Sequence, residues 1–316
     1  MRPAPRVKSI NIISKTKIMY IQLRDRIKCD RLGTHLLYYV AQIIVATVNN
    51  IYIFLPENRQ LFCTDNIFAE SLFYYINLHN AALESRGIEL GGEIIIEYGN
   101  GMNHICGSAT QTAGCSIPEY FRAHIWPKIA GEFERLAAAA GYTAAAAAQL
   151  GDDSIVCHLR LDDIAGRNIH PMTLCVKHYR ELMNAGKETP IENFFDDLGC
   201  RHNCQGIMPT EVVEEEIAAA LKRWAEYKVF IVTSPVSTPD ESLANKYTIL
   251  KHEDPALDLY IMCKSRVFIG SRSTYAICAI MWGEEKMVAR MPRWGHLTCC
   301  GVGTKYCADA RIEEFY

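Results

Sequence analysis

A chain of 316 residues exceeds one average core and implies two domains of roughly 150 residues each. Its 49% apolar and 22% charged content is that of a soluble globular protein, and a formal net charge of −3 supplies no basic field for nucleic acid or an anionic membrane. Thirteen cysteines, an odd set scattered from Cys29 to Cys307, occur with no Asn-x-Ser/Thr sequon, which favours a reducing, cytoplasmic compartment.

Residues 18–23 read as a first strand, followed by a polar connector over 24–31. Gly33 opens a helix whose apolar positions are Leu36, Leu37, Val40, Ile43, Ile44 and Val48. The stretch 36–48 is the longest apolar one. It includes Gln42 and Thr47 and falls short of the ~20 residues a membrane span needs, so no span is expected. The spacing predicts a strand over 51–55 closed by Pro56, a helix over about 66–78 and a third strand over 93–97. Residues 99–114, rich in Gly, Thr, Ser and Cys, read as a long loop. From 118 to 150 the pattern is helical, with an alanine-rich, solvated helix pair joined at Gly141. Gly151-Asp152-Asp153 marks the expected boundary between an N-terminal domain, 1–150, and a C-terminal domain, 151–316.

The second half alternates regularly. Ser154 to Arg160 has a short apolar core, Ile155-Val156-Cys157, ending in charge, as a buried parallel strand does where it opens onto a site. Gly166, Arg167 and Asn168 lie in the loop that follows, and Pro171 starts an apolar-periodic helix. A loop over 188–209 precedes a helix over 211–227. Strands are expected at 229–233, 248–250, 266–269 and 286–289, with helices near 240–245, 255–263 and 273–282 between them. Such alternation implies a parallel sheet covered by helices. With a weaker copy in the first half, the expected fold is α/β, two Rossmann-like domains facing each other across a cleft.

Several chemistries are disfavoured by absent motifs. There is no G-x-G-x-x-G dinucleotide fingerprint, no P-loop, no G-x-S-x-G elbow and no Asp-x-Asp pair to clamp a metal–diphosphate unit. Two strand ends suit anions instead. His158-Leu159-Arg160-Leu161-Asp162-Asp163 places a guanidinium beside two carboxylates, and His158 and Arg160 share one sheet face. Gly270-Ser271-Arg272-Ser273-Thr274-Tyr275 starts an apolar helix with hydroxyls where a helix N-terminus attracts phosphate.

These residues resemble a family. The segment from His158 to Asp163 resembles the H-x-R-R-x-D motif of fucosyltransferase-like glycosyltransferases of the GT-B fold. The run His252-Glu253-Asp254-Pro255-Ala256-Leu257-Asp258 to Met262, with Ser273-Thr274-Tyr275, is similar to the α-1,2-fucosyltransferase pattern of Asp, Met and N-S-T-F before an apolar helix. Arg31-Leu32-Gly33-Thr34-His35-Leu36-Leu37-Tyr38-Tyr39 resembles that family's G-x-L-G-N-Q-L-F-Q-Y.

The resemblance implies sugar transfer from a nucleotide donor, with inversion and without a metal or other cofactor. The donor would lie in the C-terminal domain and a glycan acceptor mostly in the N-terminal one. Arg160 matches the arginine that holds the β-phosphate, and a fixed guanidinium there stabilises the leaving diphosphate as its charge grows. Ser273 and Thr274, with Ser271 and Tyr275 beside them, match the phosphate-binding stretch. Asp258 matches an acidic position that meets the nucleotide base, His158 is a positioning residue, and Gly33, Thr34 and His35 belong to the cleft on the acceptor side.

The departures bear on specificity. GDP-fucose is the favoured donor, but Leu161 replaces the second arginine, which keeps UDP-xylose or another nucleotide sugar as the close alternative. Thr34-His35 replaces Asn-Gln, and Ser271-Arg272 precedes Ser273 where the family has Asn. For the general base, Asp163 comes first with Asp162 behind it, and Glu97 or Asp25 from the first half stays open. Cys200, His202 and Cys204, and His296 with Cys299, Cys300 and Cys307, lack paired C-x-x-C knuckles, so no metal site is expected. The rival expectation is a catalytically silent glycan- or nucleotide-binding module on the same fold.

Overall fold

The computed structural model describes residues 17–22, 32–55, 66–86, 89–93, 102–151, 153–161, 208, 210–271, 273–292 and 311–315. Two parallel sheets organise them. The first has strand order β2-β1-β3, from β1 (Lys17–Gln22), β2 (Tyr52–Phe54) and β3 (Glu89–Glu93). Strand β3 starts before the expected 93–97, with Lys17 paired to Glu89 and Tyr20 to Glu93, and residues 94–97 lie outside the described residues.

The second sheet holds β4 (Ser154–His158), β5 (Lys228–Val232), β6 (Thr248–Leu250), β7 (Val267–Ile269), β8 (Val288–Pro292) and β9 (Ile312–Phe315). Their order is β6-β5-β4-β7-β8-β9, with every pair parallel. Counted from β4 this is 3-2-1-4-5-6, the doubly wound order of a Rossmann sheet, whose direction of winding reverses between β4 and β7. The α/β expectation therefore holds. The expected series stops one strand early, however. Strand β9 is half acidic and carries no apolar run, and Arg290 and Arg223 hold its Glu313 through ion pairs of 2.8 and 2.7 Å.

Helices fill the spaces between strands. In the first half these are α1 (Leu32–Val48), α2 (Ile67–Glu84), α3 (Met102–Ala113), α4 (Ile117–Tyr120), α5 (Trp126–Ala139) and α6 (Tyr142–Leu150). A π-helical turn, Phe121–Ile125, leads into α5, where Pro127 has no N–H to give. Gly141, at φ 78°, separates α5 from α6 as expected, and in the alanine-rich patch Ala137 and Ala146 are the buried members. The second half supplies α7 (Thr210–Arg223), α8 (Glu241–Lys246), α9 (Pro255–Lys264) and α10 (Thr274–Trp282).

The loop expected over 99–114 is largely helix α3. Its Cys106 and Ala109 are fully buried, and its small residues let it pack on α1. The composition that suggested a loop instead serves close helix–helix approach. Gly114, at φ 71°, ends the helix in the left-handed region that glycine tolerates.

Strand β4 is buried on both faces. Val156 points into a core that runs from Ile21 and Ile53 of the first sheet to Phe268 and Ala289 of the second. Ile155 and Cys157 point the other way, toward Val213 and Ile217 of α7. Trp282 joins the halves: its ring lies 4.5 Å from Phe121 and 5.5 Å from Phe68, and its Nε1 donates to Ser71 Oγ at 3.4 Å. No helix among the described residues is long and apolar enough to cross a membrane.

At Gly33 the two halves meet backbone to backbone. A Cβ built on it would lie 2.5 Å from Tyr275 Cα and N, backbone atoms that cannot swing aside. Gly33→Ala is therefore expected to cost about 1–3 kcal/mol, read as a lowered midpoint of thermal unfolding. Gly107→Ala, at an exposed helical site with nothing within 4 Å, should stabilise by about 0.5–1 kcal/mol. Equal midpoints for the two variants would contradict the close approach.

Candidate active site

The strand order reverses between β4 and β7, and ligands of open α/β sheets bind at the carboxyl ends of the strands at such a reversal. Strand β4 delivers His158 and, two residues on, Arg160. His158 follows Val156 on the face turned toward α10 and the first half. Strand β7 delivers Gly270, where a Cβ would meet Met291 Sδ at 2.1 Å, and then Ser271. His158 Nδ1 and Ser271 Oγ share a hydrogen bond of 2.8 Å across the reversal. Both side chains are buried, and the His158 ring packs 5.3 Å from that of Tyr275. Arg160 is half-buried just beyond the strand.

The chain then turns into α10. Ser273 caps it by accepting from Tyr275 N at 3.2 Å. Thr274 Oγ1 lies in hydrogen-bond contact, 3.1 Å, with Thr34 Oγ1 of α1, and Cys278 Sγ approaches the Gly33 carbonyl at 3.4 Å. The first turns of α1 and α10 thus meet. Each helix N-terminus carries roughly half a positive charge, and two such ends in contact repel unless an anion compensates them. Neither helix has an acidic residue in its first turn. The site therefore combines two helix N-termini, with no acidic residue in either first turn, and the hydroxyls of Thr34, Ser271, Ser273 and Thr274, with Arg160 two residues past His158. That is what a phosphate group requires.

A second cluster borders the first. Asp254 caps α9 by accepting from Ala256 N at 2.8 Å and also accepts from the Tyr142 hydroxyl of α6. The Tyr275 hydroxyl donates to the Pro255 carbonyl, which joins the starts of α9 and α10. Asp258 is 5% exposed, and its Oδ1 accepts from His252 Nδ1 at 2.6 Å. Burial drives its ionisation up to about 6, against the His252 hydrogen bonds that pull it down. Gln149 of α6 places its Nε2 3.2 Å from His252 Nε2.

Gly33, Thr34, His35, His158, Ser271, Ser273, Thr274 and Tyr275 are thus gathered at one place. His35 is buried within the first turn of α1. Asp258 lies at the adjoining cluster. Asp162, Asp163, the loop with Gly166, Arg167 and Asn168, Asp25, Glu97 and both cysteine–histidine groups lie outside the described residues. No group of three or more potential metal ligands occurs among the described residues.

His252, and its partner Gln149 in the other half, were given no site role from sequence. The available signal was position, since His252 follows a strand and so lies at the ligand-facing edge. Thr233, one residue past β5 on that edge, was also missed. Its hydroxyl is buried and finds no partner among the described residues.

No family model matches the chain, and no curated protein matches it. Among solved structures it is similar to POFUT1 in complex with GDP, at 11% identity and a TM-score of 0.38, covering 85% of this chain and 96% of that one. POFUT1 in complex with GDP-fucose gives 10% identity and a TM-score of 0.37, covering 86% and 95%. The apo form of POFUT1 gives 10% and 0.37, covering 86% and 96%.

Asp258 makes the stability of the protein depend on pH. Because its folded ionisation lies above the ordinary value of 3.8, the folded state holds the proton more tightly than the unfolded chain. Its contribution is thus most favourable below about pH 4 and is lost as pH rises to about 6. Across that window, urea unfolding should show the wild type losing roughly 1–3 kcal/mol relative to Asp258→Asn, with no further change above pH 7. A constant difference between the two would count against a buried, titrating Asp258.

Proposed function

We propose that the protein is an inverting glycosyltransferase that moves a sugar from a nucleotide-sugar donor to a glycan acceptor without a metal. The observation that carries this reading is the meeting of two helix N-termini, with no acidic residue in either first turn, at the strand-order reversal that Arg160 follows. A leaving diphosphate fits that environment. Its charge grows as the glycosidic bond breaks, and oriented N–H dipoles with a guanidinium stabilise it more as it forms than before. In this reading the C-terminal half, 151–316, binds the donor, and the N-terminal half, 1–150, receives the acceptor. Asp163 takes the proton from the acceptor hydroxyl.

Asp258 favours a donor whose base offers adjacent N–H groups. Guanine presents N1–H beside its 2-amino group, and both donate to a carboxylate. Uracil flanks its one N–H with two carbonyl oxygens that a carboxylate repels. This supports GDP-fucose over UDP-xylose, in keeping with the fucosyltransferase-like motifs.

The test is calorimetric binding of GDP and turnover of GDP-fucose. Arg160→Ala should weaken GDP binding by roughly ten- to a hundredfold, the scale of a lost hydrogen bond to a charged group, and should lower kcat further. Arg160→Lys, which keeps the charge but not the planar fork, should recover part of each. EDTA should change neither. Asp163→Asn should abolish turnover while leaving GDP affinity within about threefold, as for a base acting in the transition state. Normal catalysis in Arg160→Ala, with only a lowered melting temperature, would overturn the reading. Binding without turnover of any nucleotide sugar would favour a silent binding module.

A further inference from the structure

The pair formed by His252 and Asp258 is not accounted for by phosphate binding. A carboxylate only 5% exposed is costly to keep ionised, and this one sits in the first turn of α9 at the carboxyl edge of the sheet. His252 meets that cost from one side. Its ring donates Nδ1–H to Asp258 Oδ1 at 2.6 Å, and its backbone amide donates to the same carboxylate. An ionised carboxylate has about four acceptor sites, so these two donors leave others for a ligand.

The ring's own state is set from the opposite half of the chain. Gln149 Nε2 is a donor, and it faces His252 Nε2 at 3.2 Å. With the Gln149 amide so turned, Nε2 accepts and Nδ1 carries the proton aimed at Asp258. This orientation has a cost, because Gln149 Oε1 is buried and has no partner among the described residues. An apolar side chain at 149 would avoid that cost. The arrangement makes sense if the tautomer of His252 matters to something outside the protein's own packing.

We propose that His252 is a positioning residue for nucleobase recognition: it holds the Asp258 carboxylate in one orientation toward the N–H edge of the donor's base, with Gln149 fixing its tautomer. The inference rests on the nucleotide-sugar reading of the site and adds to it a determinant to which the motifs assign no role. It also gives the first half a part in choosing the base, through a single amide.

Two probes separate base recognition from phosphate binding: GDP, and inorganic diphosphate, which has no base. Calorimetry on the full chain, with melting temperatures in parallel, compares His252→Ala, His252→Asn and Gln149→Leu with the wild type. His252→Ala should weaken GDP by about tenfold or more, the scale of a lost charge-assisted hydrogen bond, while diphosphate changes by less than about twofold. His252→Asn carries an amide N–H close to the position of Nδ1–H and should restore most of the GDP affinity. Gln149→Leu, which frees the ring to take either tautomer, should cost about two- to fivefold for GDP alone. Equal losses for both probes in His252→Ala would mark a general structural role and overturn the proposal. So would unchanged GDP binding, or an asparagine variant as weak as the alanine one. A wild type that binds both probes, with GDP insensitive to His252, would remove this inference and leave the transferase reading intact. A wild type that binds neither would remove both.

Discussion

A missing side chain at Gly33 sets how closely the two halves of the protein approach. With any Cβ there, the start of α1 would have to retreat from the backbone of Tyr275. The hydroxyl contact between Thr34 and Thr274 and the approach of Cys278 to the Gly33 carbonyl depend on that distance. So does the electrostatics. Two positive helix ends held in contact form an environment that neither makes alone, and the field of each falls off within a turn. The chain places small and hydroxyl-bearing residues at this junction, where bulk would keep the ends apart.

The same junction rests on the order of the second sheet. Strands β4 and β7 are neighbours, yet the strands that follow them lie on opposite sides, β5 beyond β4 and β8 beyond β7. His158 and Ser271 tie the two strand ends together at this reversal. Beside it, the starts of α9 and α10 are joined through Tyr275 and Pro255, and α6 reaches the same region through Tyr142 and Gln149. Phosphate-suited and carboxylate-bearing ends thus lie on one continuous floor.

Much of this was legible in the chain because local chemistry dictates it. Ser273, Asp254 and Asp240 each cap the helix that follows, and Pro255 stands at a first turn, so the starts of α8, α9 and α10 fall within a residue or so of expectation. The apolar cores of β4, β5 and β7 are short and bounded by polar residues, as buried parallel strands require. What failed was decided by partners distant in sequence. Helix α3 looks like a loop until α1 is packed on it. Strand β9 has no apolar pattern and is fixed by arginines of other elements. In the site, strand-end and helix-start residues were readable by position. The Gln149–His252 contact spans 103 residues and belongs to no motif, so only the packed structure brings it out.

The all-parallel pairing of both sheets has a consequence for how the protein comes to be folded. Parallel neighbours cannot be joined by a tight turn, so no strand pair here can form as a local hairpin. Strand β4 must wait for β7, and the His158–Ser271 bond closes across 113 residues. Chain entropy is lost before such distant contacts repay it, which makes topologies of this kind slow to fold. Until β4 and β7 pair, each leaves one strand edge open, and an incompletely folded chain exposes Ile155-Val156-Cys157 and Val267-Phe268-Ile269 as edges prone to associate with other chains. The segments that build the site are therefore also those with the greatest need of protection during synthesis.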